Sequence, residues 1–195
     1  TRCCSSAASD VYKRQMIVFP DGSYKKGPEM LDFPNGTVIT PDGKNLIIGE
    51  TLGARLTCFD IDSEGMLSNR RIWAKTSSQF GISLVKFLRN IGIKISESGS
   101  TAKNFHVPDG ICLDEQKGIW IASPTSSAVI RFEEGGTITD VIETPKNAYA
   151  CMLGGRNGRT LFILTANSSA PEICRKKPEG EIFSIEVNYP RAGMP

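Results

Sequence analysis

One pattern recurs three times along the chain and restricts its fold more than any other feature. Residues 35–61, 109–132 and 150–187 each contain a short apolar segment, a polar turn with glycine, and a second apolar segment. After a small or polar loop, a third segment follows in which apolar and polar residues alternate. Alternation with a period of two is typical of a β-strand, and recurrence of the same unit indicates a repeat architecture.

Two further segments complete the repeat. "GMLSNRRIW" (65–73) and "GTITDVIET" (136–144) follow the first two units, and each is a candidate fourth, outer strand. Four strands in roughly 40–45 residues is the spacing of a β-propeller blade. The second segments, such as "LIIG" and "IWIA", are continuously apolar, which is expected for strands covered on both faces. The third segments alternate, which predicts strands that are buried on one face only.

The sequence therefore predicts an all-β chain that forms an incomplete arc of about three to four blades of a β-propeller. Because about four to eight blades are needed to close such a ring, blades are expected upstream of this chain. The predicted parts are a non-native or disordered segment (1–15), blade units at about 16–34, 35–76, 107–145 and 146–195, and an insertion (77–105). Apolar spacing in "SLVKFLRNIGI" predicts a short helix in the insertion, which is either a lid or surface decoration.

Composition argues against several classes of protein. The formal net charge is +2, and no stretch combines Lys and Arg with aromatic residues, so nucleic-acid binding is not expected. No apolar run reaches the length of a membrane span. The six cysteines form no Cys-x-x-Cys or Cys/His cluster with zinc spacing. Three of them lie in apolar, strand-like segments, where buried reduced thiols are expected, and this predicts a cytoplasmic protein.

Two of the Pro-Asp-Gly tripeptides are interpreted as ordinary turns. Asp21 lies between "MIVF" and "SYKKG", and Asp42 lies between the first and second strands of its unit. Proline sets the backbone for a β-turn, aspartate bonds to the backbone two residues on, and glycine accepts a positive φ. Nothing beyond turning the chain is expected of these two aspartates.

Asn35 and Asp109 occupy a different place, immediately before the innermost strand of their units. That strand lines the central channel of a propeller, so both side chains are expected to converge on the channel mouth. The third unit has a small or apolar residue there, at about Ala150, so turn-making alone does not demand Asn or Asp. Amide and carboxylate oxygens suit a hard divalent cation, Ca²⁺ first, with Zn²⁺, Mn²⁺ or Mg²⁺ as alternatives. From spacing alone, the alternative that both are turn residues stays open.

Several motifs occur in an order that resembles a known family. "FPNGTVITPDGKNLIIGE", "VPDGICLDEQKGIWIASP" and "ACMLGGRNGRTLFILTA" resemble the SMP-30/gluconolactonase family of six-bladed propellers, and the resemblance extends from Met16 to the end apart from the insertion. It implies that this chain is the C-terminal part of such a protein. It also implies that Asn35 and Asp109 are metal ligands and that Asp109 is the general base. The family's third ligand, a glutamate near its N-terminus, has no counterpart here.

The resemblance implies metal-dependent hydrolysis of a small lactone of a sugar acid by the full-length protein. This chain alone is expected to be inactive, and its expected partner is the small-molecule lactone. His106, three residues before Asp109, and Tyr149, at the entrance of the third unit, are candidate substrate-binding residues. The alternative is a non-catalytic propeller with a structural cation or a protein-binding role, since a fold does not determine function.

Overall fold

The structure, a computed structural model, describes residues 2–3, 12–13, 16–77 and 105–193. Its strands are β1 (Arg2–Cys3), β2 (Tyr12–Lys13), β3 (Met16–Val18), β4 (Tyr24–Lys26), β5 (Leu31–Asp32), β6 (Pro34–Ile39), β7 (Asn45–Glu50), β8 (Arg55–Ile61), β9 (Leu67–Lys75), β10 (Ile111–Leu113), β11 (Ile119–Ser123), β12 (Ala128–Phe132), β13 (Ile138–Glu143), β14 (Asn147–Gly154), β15 (Thr160–Ala166) and β16 (Glu181–Glu186). A short helix, α1 (Pro171–Lys176), lies between β15 and β16.

Three antiparallel sheets form most of the described chain, and in each the strands follow sequence order. Sheet 1 consists of β6–β9 and sheet 2 of β10–β13, while sheet 3 consists of β14–β16. Two small sheets, β1-β3-β4 and β2-β5, involve the segment that precedes sheet 1. The all-β prediction is confirmed. The described sheets are separate and form no closed ring, which is consistent with part of a propeller.

Sheet 2 is covered on both faces because it lies between the other two sheets. One face shares a core with sheet 1, and the other shares a core with sheet 3. Every residue of β12 is therefore buried, and the prediction of a half-buried third strand is wrong for this sheet. The alternation came from Arg131, which is charged and yet only 1 % exposed.

Sheet 3 has one open face. Along β15, buried and exposed residues alternate, so the prediction of a strand covered on both faces is wrong here. Leu161 and Ile163 pack toward sheet 2, whereas Phe162 and Leu164 are 37 % and 43 % exposed. Within the described residues, the face that carries Phe162 and Leu164 remains largely open to solvent.

Each sheet has two ends that differ in what they carry. The entrance end is the end at which β6, β10 and β14 begin, and the turn end is the end at which the tight turns after these strands lie. At the turn end of sheet 1, Asp42 accepts hydrogen bonds from the Lys44 amide at 3.1 Å and the Thr40 hydroxyl at 2.6 Å. In the β3–β4 hairpin, Asp21 accepts from the amide of Ser23 at 2.9 Å. Both aspartates are exposed turn residues, as predicted.

A buried ion pair lies at the turn end of sheet 2. The Nε atom of Arg131 donates to Asp114 at 2.6 Å, and both side chains are at most 1 % exposed. The indole of Trp120 donates to the same carboxylate at 3.0 Å. Tyr189 covers the guanidinium, with the Arg131 Cζ atom 3.8 Å from the ring centroid.

The segment around Tyr189 forms a strap (residues 187–193) across the turn end. Within it, the Arg191 amide donates to the carbonyl of Gly158 in sheet 3 at 2.9 Å. The carbonyl of Pro190 accepts from the Glu115 amide of sheet 2 at 2.8 Å. The strap therefore holds two neighbouring sheets together at the end opposite to the entrance.

Apart from its end residues 77 and 105, the predicted helical insertion (77–105) lies outside the described residues. Its two flanks meet at the entrance end, where Ser77 Oγ donates to the His106 carbonyl at 2.8 Å and accepts from the His106 amide at 2.7 Å. The insertion thus leaves and rejoins the sheets at one point. The boundaries predicted for the terminal segment and the blade units stay predictions.

Candidate functional site

A β-bulge shapes the entrance of sheet 1. Asn35 and Gly36 together stand opposite the single residue Gly49, so the pairing of β6 with β7 shifts by one residue. A bulge bends the strand and redirects its side chains, and bulges are common beside functional sites. The sequence Pro-Asn-Gly therefore builds an irregular strand entrance rather than a free turn.

Sheet 2 has the same irregularity at the same place. The Asp109 amide donates to the Ala122 carbonyl, and the Ala122 amide donates to the Gly110 carbonyl, both at 2.9 Å. Asp109 and Gly110 therefore share one opposing residue, as Asn35 and Gly36 do. Both Asn35 and Asp109 are half-buried.

Sheet 3 carries the third bulge, and its extra residue is Tyr149. Ala148 pairs with Thr165 and Ala150 pairs with Leu164, which leaves Tyr149 between them without an opposing residue. The position equivalent to Asn35 and Asp109 was predicted at about Ala150, and the structure places it one residue earlier, at Tyr149. The bulge, which sequence spacing does not reveal, accounts for the difference.

Backbone hydrogen bonds between the sheets give the same alignment. The Gly36 amide donates to the Asp109 carbonyl, and the Gly110 amide donates to the Tyr149 carbonyl, both at 2.9 Å. Each glycine thus bonds to the entrance residue of the next sheet. Asn35, Asp109 and Tyr149 are therefore equivalent positions, and the backbone of Asp109 is hydrogen-bonded to Gly36, the residue that follows Asn35.

The two glycines are required by close backbone contact. A Cβ atom on Gly36 would lie 2.6 Å from both the Asp109 carbonyl oxygen and the Ile111 amide nitrogen. A Cβ atom on Gly110 would lie 2.7 Å from the Ala150 Cα atom. Real Cβ atoms essentially never come this close to backbone, so only glycine permits this approach between sheets.

The segment before Asp109 is held by sheet 1 as well. Thr51, in the loop after β7, donates its hydroxyl to the carbonyl of Pro108 at 2.7 Å. Gly49 leaves room for the Pro108 ring, since a Cβ atom there would lie 3.1 Å from Pro108 Cβ. Asp109 is thereby fixed from two sides before it enters β10.

His106 lies near this segment but its ring is buried. The ring Nδ1 atom is 3.0 Å from the Ser126 hydroxyl, and the ring packs edge-on against Phe132 with centroids 6.3 Å apart. Burial lowers the pKa of His106 below its usual value. A role in substrate binding stays a prediction for both His106 and Tyr149.

Sequence reasoning missed a buried carboxylate beside the entrance of sheet 1. Glu50, the last residue of β7, is 0 % exposed and pairs with Pro34 across the sheet. Its Oε2 atom accepts from the Asp32 amide at 2.6 Å and from Arg55 at 2.7 Å. The available signal was a single acidic residue at the end of an otherwise apolar strand.

The donor atoms at the entrance end fit a hard divalent cation. Asn35 offers an amide oxygen and Asp109 a carboxylate, and Ca²⁺ takes ligands of both types. Among the residues that the structure describes, no group of three or more His, Cys, Asp or Glu side chains could hold a metal ion. Since Ca²⁺ takes about six to eight oxygen ligands, a full shell here needs further donors.

Comparison with known proteins identifies the family. The family model described as SMP-30/Gluconolactonase/LRE-like region matches residues 5–167, and the chain belongs to this family. Regucalcin from Oryctolagus cuniculus is 27 % identical over 173 residues, which are 86 % of this chain and 50 % of that protein. The chain thus spans about half the length of the curated relatives it matches.

Solved structures show the same fold. A calcium-binding protein, regucalcin, from Agrobacterium tumefaciens has a TM-score of 0.63 at 17 % identity, covering 93 % of this chain and 54 % of that chain. A gluconolactonase from Xanthomonas campestris has a TM-score of 0.56 at 23 % identity, covering 84 % of this chain and 45 % of that chain. Within the described residues, no helix has the length and apolar character of a membrane span.

Proposed function

We propose that the protein to which this chain belongs hydrolyses a small lactone, such as that of a sugar acid, with the help of one divalent cation. Family membership supports the reaction class. The observation that carries the proposal is the Gly36–Asp109 hydrogen bond, because it joins the backbone of Asp109 to the residue that directly follows Asn35. In this proposal the three sheets are blades of a six-bladed propeller. The remaining blades correspond to the half of the relatives' length that this chain does not span.

Asn35 and Asp109 would hold the cation, with Ca²⁺ as the first candidate and Zn²⁺, Mn²⁺ or Mg²⁺ as alternatives. When bound, a divalent cation polarises a carbonyl oxygen and lowers the pKa of water. As general base, Asp109 would take a proton from the water that attacks the lactone carbonyl carbon, and would return it to the ring oxygen as the acyl C–O bond breaks. Tyr149, equivalent in position to Asp109, and His106 are proposed to contact the substrate.

The decisive experiment uses the protein expressed from its full coding sequence and a panel of sugar lactones. We expect hydrolysis that EDTA abolishes and that added Ca²⁺ restores. The variant Asp109→Asn should lower kcat by about 10²- to 10⁴-fold, the range attributed to a general base. Asp42→Asn is the matched control. Asp42 stands in a second Pro-Asp-Gly tripeptide, at an exposed turn, so its replacement should leave kcat unchanged. Undiminished turnover by Asp109→Asn would refute the assignment.

The same experiment tests the alternative, a non-catalytic propeller that keeps a structural cation. The observation in its favour is that, within the described part of the chain, no group of three or more His, Cys, Asp or Glu side chains could hold a metal ion. Ca²⁺ binding without turnover of any lactone would support it. We also expect the 195-residue chain alone to be inactive, and a soluble, active product of this length would contradict that expectation.

A further inference from the structure

We propose that Glu50 is a positioning residue for Asn35: its buried carboxylate fixes the segment 30–34 so that Asn35 enters the bulge in the orientation that cation binding requires. The inference rests on the proposed function, since it takes Asn35 as a ligand. Glu50 itself is assigned no contact with cation or substrate. Its action is through the backbone that leads into Asn35.

The carboxylate of Glu50 is fully buried and accepts hydrogen bonds from several groups. The Arg55 Nε atom donates to Oε1 at 2.9 Å, and Arg70 donates to the same oxygen at 3.2 Å. The hydroxyl of Thr57 also donates to Oε1, while the Asp32 amide and the Arg55 guanidinium donate to Oε2. Burial raises its pKa, but hydrogen bonds from Arg55 and Thr57 outweigh burial and hold the pKa of Glu50 below its usual value.

These contacts converge on the segment that precedes Asn35. Glu50 binds the Asp32 amide directly, and the next residue, Thr51, donates its amide to the Phe33 carbonyl at 3.1 Å. Arg70 reaches from Glu50 to the Met30 carbonyl at 3.2 Å. A single carboxylate therefore ties β7, β9 and the entrance segment together.

The segment needs such support because its backbone is strained. Met30 and Phe33 have φ angles of 61° and 57°, in the left-handed region that non-glycine residues adopt at a cost. Residues in such conformations persist only where surrounding contacts fix them. Loss of the Glu50 charge would let the segment relax, and the backbone of Asn35, two residues after Phe33, would move with it.

Asp114 provides a matched comparison. Like Glu50 it is 0 % exposed and paired with an arginine, Arg131, but it lies at the turn end of sheet 2. Both carboxylates stabilise the fold, yet only Glu50 adjoins the candidate site. Removing a group that orients a metal ligand typically costs about 10- to 100-fold in metal affinity, and Asp114→Asn should cost none.

The test measures Ca²⁺ affinity by isothermal titration calorimetry on the protein expressed from its full coding sequence. We expect Glu50→Gln to weaken Ca²⁺ binding at least about tenfold, and Asp114→Asn to leave it unchanged. In an Asn35→Ala background, Glu50→Gln should have no further effect on Ca²⁺ affinity, because the two residues then act on one interaction. If Glu50→Gln fails to fold, Arg70→Ala, which removes the link between Glu50 and Met30, should weaken binding in the same direction.

Three results overturn the inference: Ca²⁺ affinity unchanged in Glu50→Gln or in Arg70→Ala, an equal loss in Asp114→Asn, or additive losses with Asn35→Ala. A wild-type protein that binds no divalent cation overturns it together with the metal assignment. Weakened Ca²⁺ binding in a protein that hydrolyses no lactone supports the positioning role and refutes only the hydrolase.

Discussion

The amide of Gly36 donates to the carbonyl of Asp109 at 2.9 Å, across the boundary between sheets 1 and 2. The two residues are 73 positions apart in sequence, from 36 to 109. One hydrogen bond between main chains thus sets how far the entrance of one sheet lies from that of the next. The backbone therefore fixes the positions of Asn35 and Asp109, whichever rotamers their side chains adopt.

Gly36→Ala should separate these two entrances. The added Cβ atom would lie 2.6 Å from backbone atoms of Asp109 and Ile111, and backbone cannot rotate away as a flexible side chain can. We expect a loss of about 1–3 kcal/mol in the free energy of unfolding, as for other overpacked sites, and a fall in Ca²⁺ affinity. Gly180→Ala is the control, since its nearest neighbour atom is 4.0 Å away. Wild-type Ca²⁺ affinity in Gly36→Ala would contradict the prediction.

Asp114→Asn should destabilise the fold strongly. It leaves the buried Arg131 guanidinium without its negative partner, and breaking a buried pair in this way costs about 3–5 kcal/mol. Asp60→Asn breaks the exposed Arg71–Asp60 pair, which should cost far less because water screens both charges. Urea unfolding followed by circular dichroism measures both losses. Equal midpoints for the two variants would show that the buried pair contributes nothing special.

The free energy of unfolding should fall between about pH 7 and about pH 5.5 because of His106, the single histidine of the chain. Burial lowers the pKa of His106 in the folded protein, so the unfolded chain takes up the proton first as the pH falls. The stabilisation is complete above the usual histidine pKa and is lost below it. His106→Gln should reduce the drop in urea midpoint over this interval. A drop as large as that of the wild type would assign the effect to other groups.

The cysteines should differ sharply in reactivity. The Cys112 and Cys151 sulfurs are 3.9 Å apart in the core between sheets 2 and 3, whereas Cys174 is exposed. The hydrogen bond with Cys112 and burial raise the pKa of Cys151 well above its usual value, so its thiolate is scarce. Iodoacetamide should alkylate Cys174 in the native protein and Cys151 only after unfolding in urea. Peptide mass spectrometry resolves the two sites, and comparable native rates would argue against the packing described.

Much of the architecture was predictable because strands and turns are local features. The apolar runs at β7 and β11 identified the buried second strands, and "LSNRRIWAK" proved to be the outer strand β9. Position within the unit also separated the turn residue Asp42 from Asp109, although both stand in Pro-Asp-Gly. Buried thiols at Cys58, Cys112 and Cys151 were expected from their apolar surroundings and are confirmed.

The features that sequence analysis predicted wrongly or missed depend on contacts between segments that are distant in the sequence. Arg131 made β12 look half-exposed, since its partner Asp114 lies 17 residues earlier and no local pattern reveals the pair. Glu50 escaped notice because Arg70 approaches it from another strand, 20 residues on. The position equivalent to Asp109 was predicted at about Ala150 and lies at Tyr149, because a bulge adds a residue without altering the apolar pattern around it.

The three bulges also determine where evolution can change the length of this chain. Deletion of one residue at Asn35, Asp109 or Tyr149 would restore regular pairing, but at the expense of the kink that each strand needs to meet its neighbour. Insertion of one residue there would shift the register of the following strand and move its buried side chains to the opposite face. At the opposite end of the sheets, length changes near Asp42 or Asn157 would merely enlarge an exposed loop. Gaps among homologous sequences should therefore be rare at the three bulges and should accumulate in the turns near Asp42 and Asn157.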